Sequence, residues 1–189
     1  MATIEFRKIV IFALLLFAAA PSRAETEQDL RIRVFQRMPV ADRQVLNSAN
    51  AAASSQRLTG EQAGALLRLG YSYWSRRDYY YAGDLLRSYG QAVRRMGWSQ
   101  DENYFQAGYY AAVSQRMFLE TDRSTWRALT RMPGRTEQME EMSDYNTIYS
   151  TMWMVARKGP ANLRASALQE CQNAREWLRS RGKSEAECG

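Results

Sequence analysis

Few side chains in this sequence are suited to chemistry. Asp101-Glu102 and Glu140-Glu141 are the obvious acidic pairs, and Cys171 and Cys188 are the only cysteines. Tyr71, Tyr73, Tyr79, Tyr80 and Tyr81 form a run of phenols among Arg76, Arg77 and Arg87. Histidine is absent from all 189 residues, so there is no Ser-His-Asp or Cys-His relay and no imidazole base near neutral pH. Two cysteines are too few for a four-cysteine zinc site or an iron–sulfur cluster. Carboxylates leave one catalytic route, acid–base cleavage of a glycan. Adjacent residues of a helix diverge by about 100°, so neither acidic pair converges on one site. No Gly-x-Ser-x-Gly elbow, phosphate loop or metal-ligand cluster occurs. The residues therefore predict no catalytic group, no metal and no cofactor, with glycan cleavage as the remote alternative.

Binding is the chemistry these residues suit better. All eleven tyrosines fall between Tyr71 and Tyr149. Tyrosine offers a broad contact area at low entropic cost, with a hydroxyl for orientation. Three consecutive tyrosines at a helix start cannot share one buried face, so at least one of Tyr79, Tyr80 and Tyr81 is expected at the surface. With the nearby guanidinium groups, Tyr71, Arg76, Arg77, Tyr79, Tyr80 and Arg87 predict an aromatic, cationic surface for an acidic or extended peptide. The competing reading packs most of these rings between helices. The tryptophans at 74, 98, 126, 153 and 177 come about one per helix, which predicts core anchors. Met139, Met142, Met152 and Met154 suit soft core packing.

The N-terminus reads as an export signal. Arg7 and Lys8 precede an uncharged stretch, Ile9 to Ala20, and Ser22-Arg23-Ala24 supplies small residues at a cleavage site. A spanning helix needs roughly 20 apolar residues, so cleavage after Ala24 and release into a bacterial periplasm are expected. Residues 25–189 then form a single domain, with no membrane span after cleavage. Without Glu5, Arg7, Lys8 and Arg23 the mature chain carries 23 basic and 19 acidic side chains, a net charge of +4. Arginine provides 21 of the positive charges, spread along the whole chain. So diffuse a field, in that compartment, argues against nucleic acid as a partner.

In an exported protein an isolated cysteine pair reads first as a disulfide, Cys171–Cys188. A helix continuing to about Arg181 carries the chain roughly 15 Å beyond Cys171. The seven residues Gly182 to Cys188 can retrace that distance when extended. Two free thiols or a redox pair are the alternatives, though redox pairs are usually spaced Cys-x-x-Cys.

The elements that must position these groups are helical throughout. Valine and isoleucine are scarce, alternating runs are absent and 3.6-residue stripes recur. Helices are expected over Glu27–Arg37, Val40–Gln56, from a Thr59/Gln62 capping box to Trp74, and over the segment carrying Ala82, Leu85, Leu86, Tyr89 and Val93. Asp84, Arg87, Gln91, Arg94 and Arg95 fall on the face opposite that last stripe. Gly97 suits the position after the helix end. A Ser99/Glu102 capping box predicts a helix to Glu120, followed by Thr121–Arg131, Glu137–Lys158 and a final helix from Pro160. The fold class is all-α, with seven or eight helices as stacked hairpins or an irregular bundle.

Leu66, Leu69-Gly70, Tyr73 and Ala82 give residues 66–97 a resemblance to a tetratricopeptide-type helical hairpin, over about one repeat. Tyr89 stands where that family prefers alanine. A 38-residue shift sets Tyr104, Ala107, Gly108 and Ala111 over Leu66, Leu69, Gly70 and Tyr73, but it sets Glu120 over Ala82. The resemblance implies an adaptor or assembly factor whose partner is another envelope protein or peptide. A periplasmic immunity or inhibitor protein, directed at a toxin or a wall hydrolase, is the other binding role such a chain suits. The sequence sets no oligomeric state.

Overall fold

The computed structural model describes Val34 and residues 36–99, 101–130 and 134–188. The expected export signal, residues 1–24, lies outside the described residues, as does most of the expected Glu27–Arg37 helix; Val34, Gln36 and Arg37 are helical. Among the described residues there are seven helices and no strand. They are α1 (Val40–Ser54), α2 (Gly60–Ser75), α3 (Tyr79–Arg95), α4 (Glu102–Thr121), α5 (Arg123–Thr130), α6 (Glu137–Lys158) and α7 (Ala161–Arg179).

Local chemistry explains most of the boundaries. Thr59 and Gln62 form the reciprocal capping box: Thr59 Oγ1 accepts the Gln62 N–H at 3.2 Å, and Gln62 Oε1 accepts the Thr59 N–H at 3.0 Å. Helix α2 ends in a Schellman motif, with Asp78 N–H donating to the Tyr73 carbonyl and Arg77 N–H to that of Trp74. Arg77 holds the left-handed position of this turn at φ 61°, where glycine would be strain-free. Gly97 fills the equivalent position after α3, at φ 76°. Helix α4 corrects one expectation, because Asp101 caps it and Ser99 does not. The Asp101 carboxylate accepts the Asn103 N–H at 3.2 Å, and Glu102 turns instead to the Gln106 amide at 3.0 Å. A carboxylate next to the helix start carries the charge that the helix dipole favours there.

The helices pack as successive hairpins, α1–α2–α3 on one side of α4 and α6–α7 on the other. Where α2 crosses α3 the backbones come close: a Cβ on Gly70 would stand 2.7 Å from the Leu86 side chain. Two hydrophobic clusters result. The first joins α1, α2 and α3 to Ala107 and Ala111 of α4. The second joins Ala112, Val113 and Leu119 of α4 to Trp126, Ile148, Met152, Ala167, Cys171 and Leu178. Helix α4 is therefore the shared wall, and Arg116 ties it to α7 through two bonds to Glu170 at 2.9 and 3.0 Å.

Cys171 and Cys188 form the disulfide, and both are buried. The bridge lays the tail over α6 and α7, where Tyr149 donates to the Ala186 carbonyl and Trp153 to that of Glu187. Four of the five tryptophans serve as core anchors: Trp126 lies in the second core, and Trp74, Trp153 and Trp177 pack partly buried against the cores. Only Trp126 is fully buried, and Trp98 is 39% exposed. Trp177 lies between Tyr145, stacked at 3.8 Å, and the guanidinium of Arg181 at 3.5 Å. A guanidinium over the face of a partly exposed indole contributes about 0.5–1 kcal/mol.

Candidate functional site

Helices α3 and α6 both pack on α4 but scarcely on each other. A groove therefore runs between them with α4 as its floor. From Tyr104 to Phe118, both of which line it, the floor spans about 21 Å at the helical rise. Small residues keep it low: Gly108, Ala111 and Ala112 on α4, faced by Gly90 on α3 and Thr147 and Thr151 on α6. The groove holds two adjoining cavities of about 330 and 350 Å³ that share Arg87 and Gln115.

A line of polar contacts separates the cavities. Arg87 Nη2 donates to Gln115 Oε1 at 3.0 Å, and Gln115 Nε2 donates to Asp144 Oδ1 at 2.7 Å. The second oxygen of Asp144 accepts the indole N–H of Trp126 at 2.6 Å. Helices α3, α4, α6 and α5 each contribute one member. The first cavity is open and cationic, with Gln91 and Arg94 on its rim. The second is walled by rings, Tyr79, Tyr80, Phe118 and Trp126, and contains Asp84 as well as Asp144.

Both carboxyls are pushed above the ordinary aspartate value, chiefly by burial. For Asp84 the Arg87 charge opposes the rise; for Asp144 the bonds from Trp126 and Gln115 and the Arg87 charge oppose it, while Glu140 adds to it. An acid whose folded-state pKa is raised takes up its proton more readily folded than unfolded. The stability this confers is present at low pH and lost as pH climbs above the ordinary carboxylate value, about 3.9. Asp84→Asn is accordingly expected to raise the melting temperature at pH 7, with the advantage shrinking towards about pH 4. Thermal melts at the two pH values check this; an advantage independent of pH would contradict it.

Five of the six residues expected to bind a partner lie together along this end of the molecule. Tyr79, Tyr80 and Arg87 line the ring-walled cavity. Arg76 and Arg77 line a neighbouring hollow at the α2–α3 turn, which also reaches Tyr79 and Tyr80. Tyr79 packs edge-on to Trp74, Tyr80 leans on Phe118, and Tyr81 donates to the Val34 carbonyl. All three of these tyrosines are half-buried, none wholly in water and none wholly in the core. Tyr71 is elsewhere: it meets Gln106 and Tyr110, on the side of α4 away from the groove. Burial, with Tyr110 and Tyr89 beside it, pushes its phenol up to about 12.

The groove residues missed by sequence reasoning are Asp84, Gln115, Trp126 and Asp144. Arg87, Gln91 and Arg94 are exposed, as the polar face of α3 predicts, and together with the half-buried Asp84 that face also forms the α3 wall. Glu140 and Glu141 are both buried, each reaching a different arginine, Arg135 and Arg123. Among the described residues no cluster of Cys, Asp or Glu could hold a metal ion, and no helix is long and apolar enough to cross a membrane. Compared with protein families, curated proteins and solved structures, the chain matches none.

Proposed function

We propose that this protein is an exported adaptor or assembly factor of the bacterial envelope that holds a segment of a partner protein in the groove over α4. One observation carries the reading: two adjoining cavities along α4, one floored by Gly108, Ala111 and Ala112, whose walls present tyrosine rings and arginines. Small floor residues let a second backbone approach closely, while rings and guanidinium groups give orientation. Stacked helical hairpins commonly use the concave side for this purpose, and the resemblance of residues 66–97 to a tetratricopeptide hairpin points to the same use. Export agrees with the buried bridge, since disulfides persist in oxidising compartments.

The groove can be filled without disturbing either core, because Thr147 is exposed on its α6 lip. Thr147→Trp is expected to leave the melting temperature unchanged and to weaken capture of an envelope partner at least about tenfold, a change of roughly 1.4 kcal/mol. Affinity purification from periplasmic extract with both forms measures this. A partner retained equally by the variant would place binding outside the groove.

A further inference from the structure

The ring-walled half of the groove has an unusual charge balance. Asp84 projects from α3 into the cavity that Asp144 also lines, and among the described residues the one guanidinium lining it is that of Arg87. Each oxygen of Asp144 already accepts a bond, one from Gln115 and one from Trp126. Arg87 is drawn aside to Gln115. No hydrogen bond or ion pair to the Asp84 carboxylate is formed among the described residues, although burial is the chief influence on it. A half-buried carboxylate that lines a cavity and has no donor from the protein leaves its acceptor capacity to a ligand. The surrounding walls are Tyr79, Tyr80, Phe118 and Trp126, whose ring faces attract cations.

Resting on the groove reading above, the geometry points to the Asp84 cavity as the socket for a single cationic side chain, arginine or lysine, projecting from the partner segment laid along α4. Charge complementarity decides the occupant. An anionic side chain would meet two carboxylates, and an apolar one would leave Asp84 without a donor. A guanidinium or ammonium satisfies Asp84 and lies against the rings. The volume, about 350 Å³, is at the small end of ligand cavities, and it opens into the rest of the groove, so the side chain enters while its main chain stays outside. The cationic half of the groove, with Arg94, then faces a different part of the same segment. The partner segment is thus polarised, with a basic anchor at the Tyr79–Asp84 end.

The indole N–H of Trp126 lies in the cavity wall and reports occupancy by nuclear magnetic resonance. The probes are N-acetyl-arginine methylamide and N-acetyl-lysine methylamide, with the norleucine and glutamate analogues as neutral and anionic controls. The basic probes are expected to shift the Trp126 indole signal saturably. The controls should not, and Asp84→Asn should weaken the basic probes more than about tenfold while the remaining spectrum stays native-like. No shift with either basic probe, an equal shift with norleucine, or full binding to Asp84→Asn would each overturn the inference. Those outcomes leave the groove reading standing if Thr147→Trp still loses the partner. If Thr147→Trp keeps its partner while the basic probes bind, the groove reading fails and the cationic socket remains.

Discussion

Trp126→Ala is expected to lower the unfolding free energy by about 3–5 kcal/mol, the range for a large buried aromatic. The side chain is 1% exposed and packs in the second core. It is also the main attachment of α5, which has eight residues. A helix so short does not hold itself together in water. Leu129 is the other buried residue of α5. The ties of Arg123 to Glu137 and Glu141 and of Arg127 to Glu137 involve exposed guanidinium groups, whose ion pairs contribute little. Loss of the ring therefore leaves α5 held chiefly by Leu129 and removes one of the rings that line the second cavity. Trp126→Phe separates packing from hydrogen bonding. It keeps most of the ring but leaves one oxygen of Asp144 without its donor, an expected loss of about 1–3 kcal/mol. Urea unfolding of both variants measures the difference, and an alanine variant within 1 kcal/mol of the parent by that measurement would contradict the assignment.

Severing the bridge is the second large effect. Cys171 and Cys188 are 17 residues apart, and a loop of that size restricts the unfolded chain by about 3 kcal/mol in the entropic account. Cys188→Ser is expected to lower the melting temperature by roughly 6–12 °C, at about 2–4 °C per kcal/mol for a chain of this length. Reduction of the parent protein should reproduce most of that shift. The tail loses its covalent hold and keeps only polar bonds from Tyr149, Trp153 and Arg175. Melting unchanged by both treatments would show that the tail is held without the bridge.

The helices and the bridge were legible in the sequence because their causes are local. Apolar stripes at helical spacing, the Thr59–Gln62 box, Gly97 after α3 and the Gly159-Pro160 stop each act within a few residues. Ser99 misled for the same reason: its spacing to Glu102 suits a capping box, but Asp101 is also a good cap and lies next to the helix. The groove was not legible, because it depends on what α4 has on each flank. Asp84 and Arg94 sit on a polar stripe that is indistinguishable in sequence from a solvated surface. Only the placement of α6 against Gly108, Ala111 and Ala112 turns that stripe into a wall. Asp144 and Trp126 meet across 18 residues, a separation that no helical period encodes. Of the expected surface residues, Tyr71 stood beside Tyr73 in the sequence yet packs against the α4 side away from the groove, since positions two apart on a helix diverge widely.

Helix α4 carries one core on each flank, and the groove lies along the line where they meet. Its α3 wall is anchored in the first core and its α6 wall in the second. Whatever occupies the groove is therefore a splint across a seam. Opening the seam would expel it, so occupancy and the cohesion of the two halves rise and fall together. By mass action an occupant at a hundredfold excess over its Kd adds about 2.7 kcal/mol, and that gain acts at the joint between two hydrophobic units instead of within either. On the proposed reading, a bound segment adds a further tie between two hydrophobic units that α4 already joins.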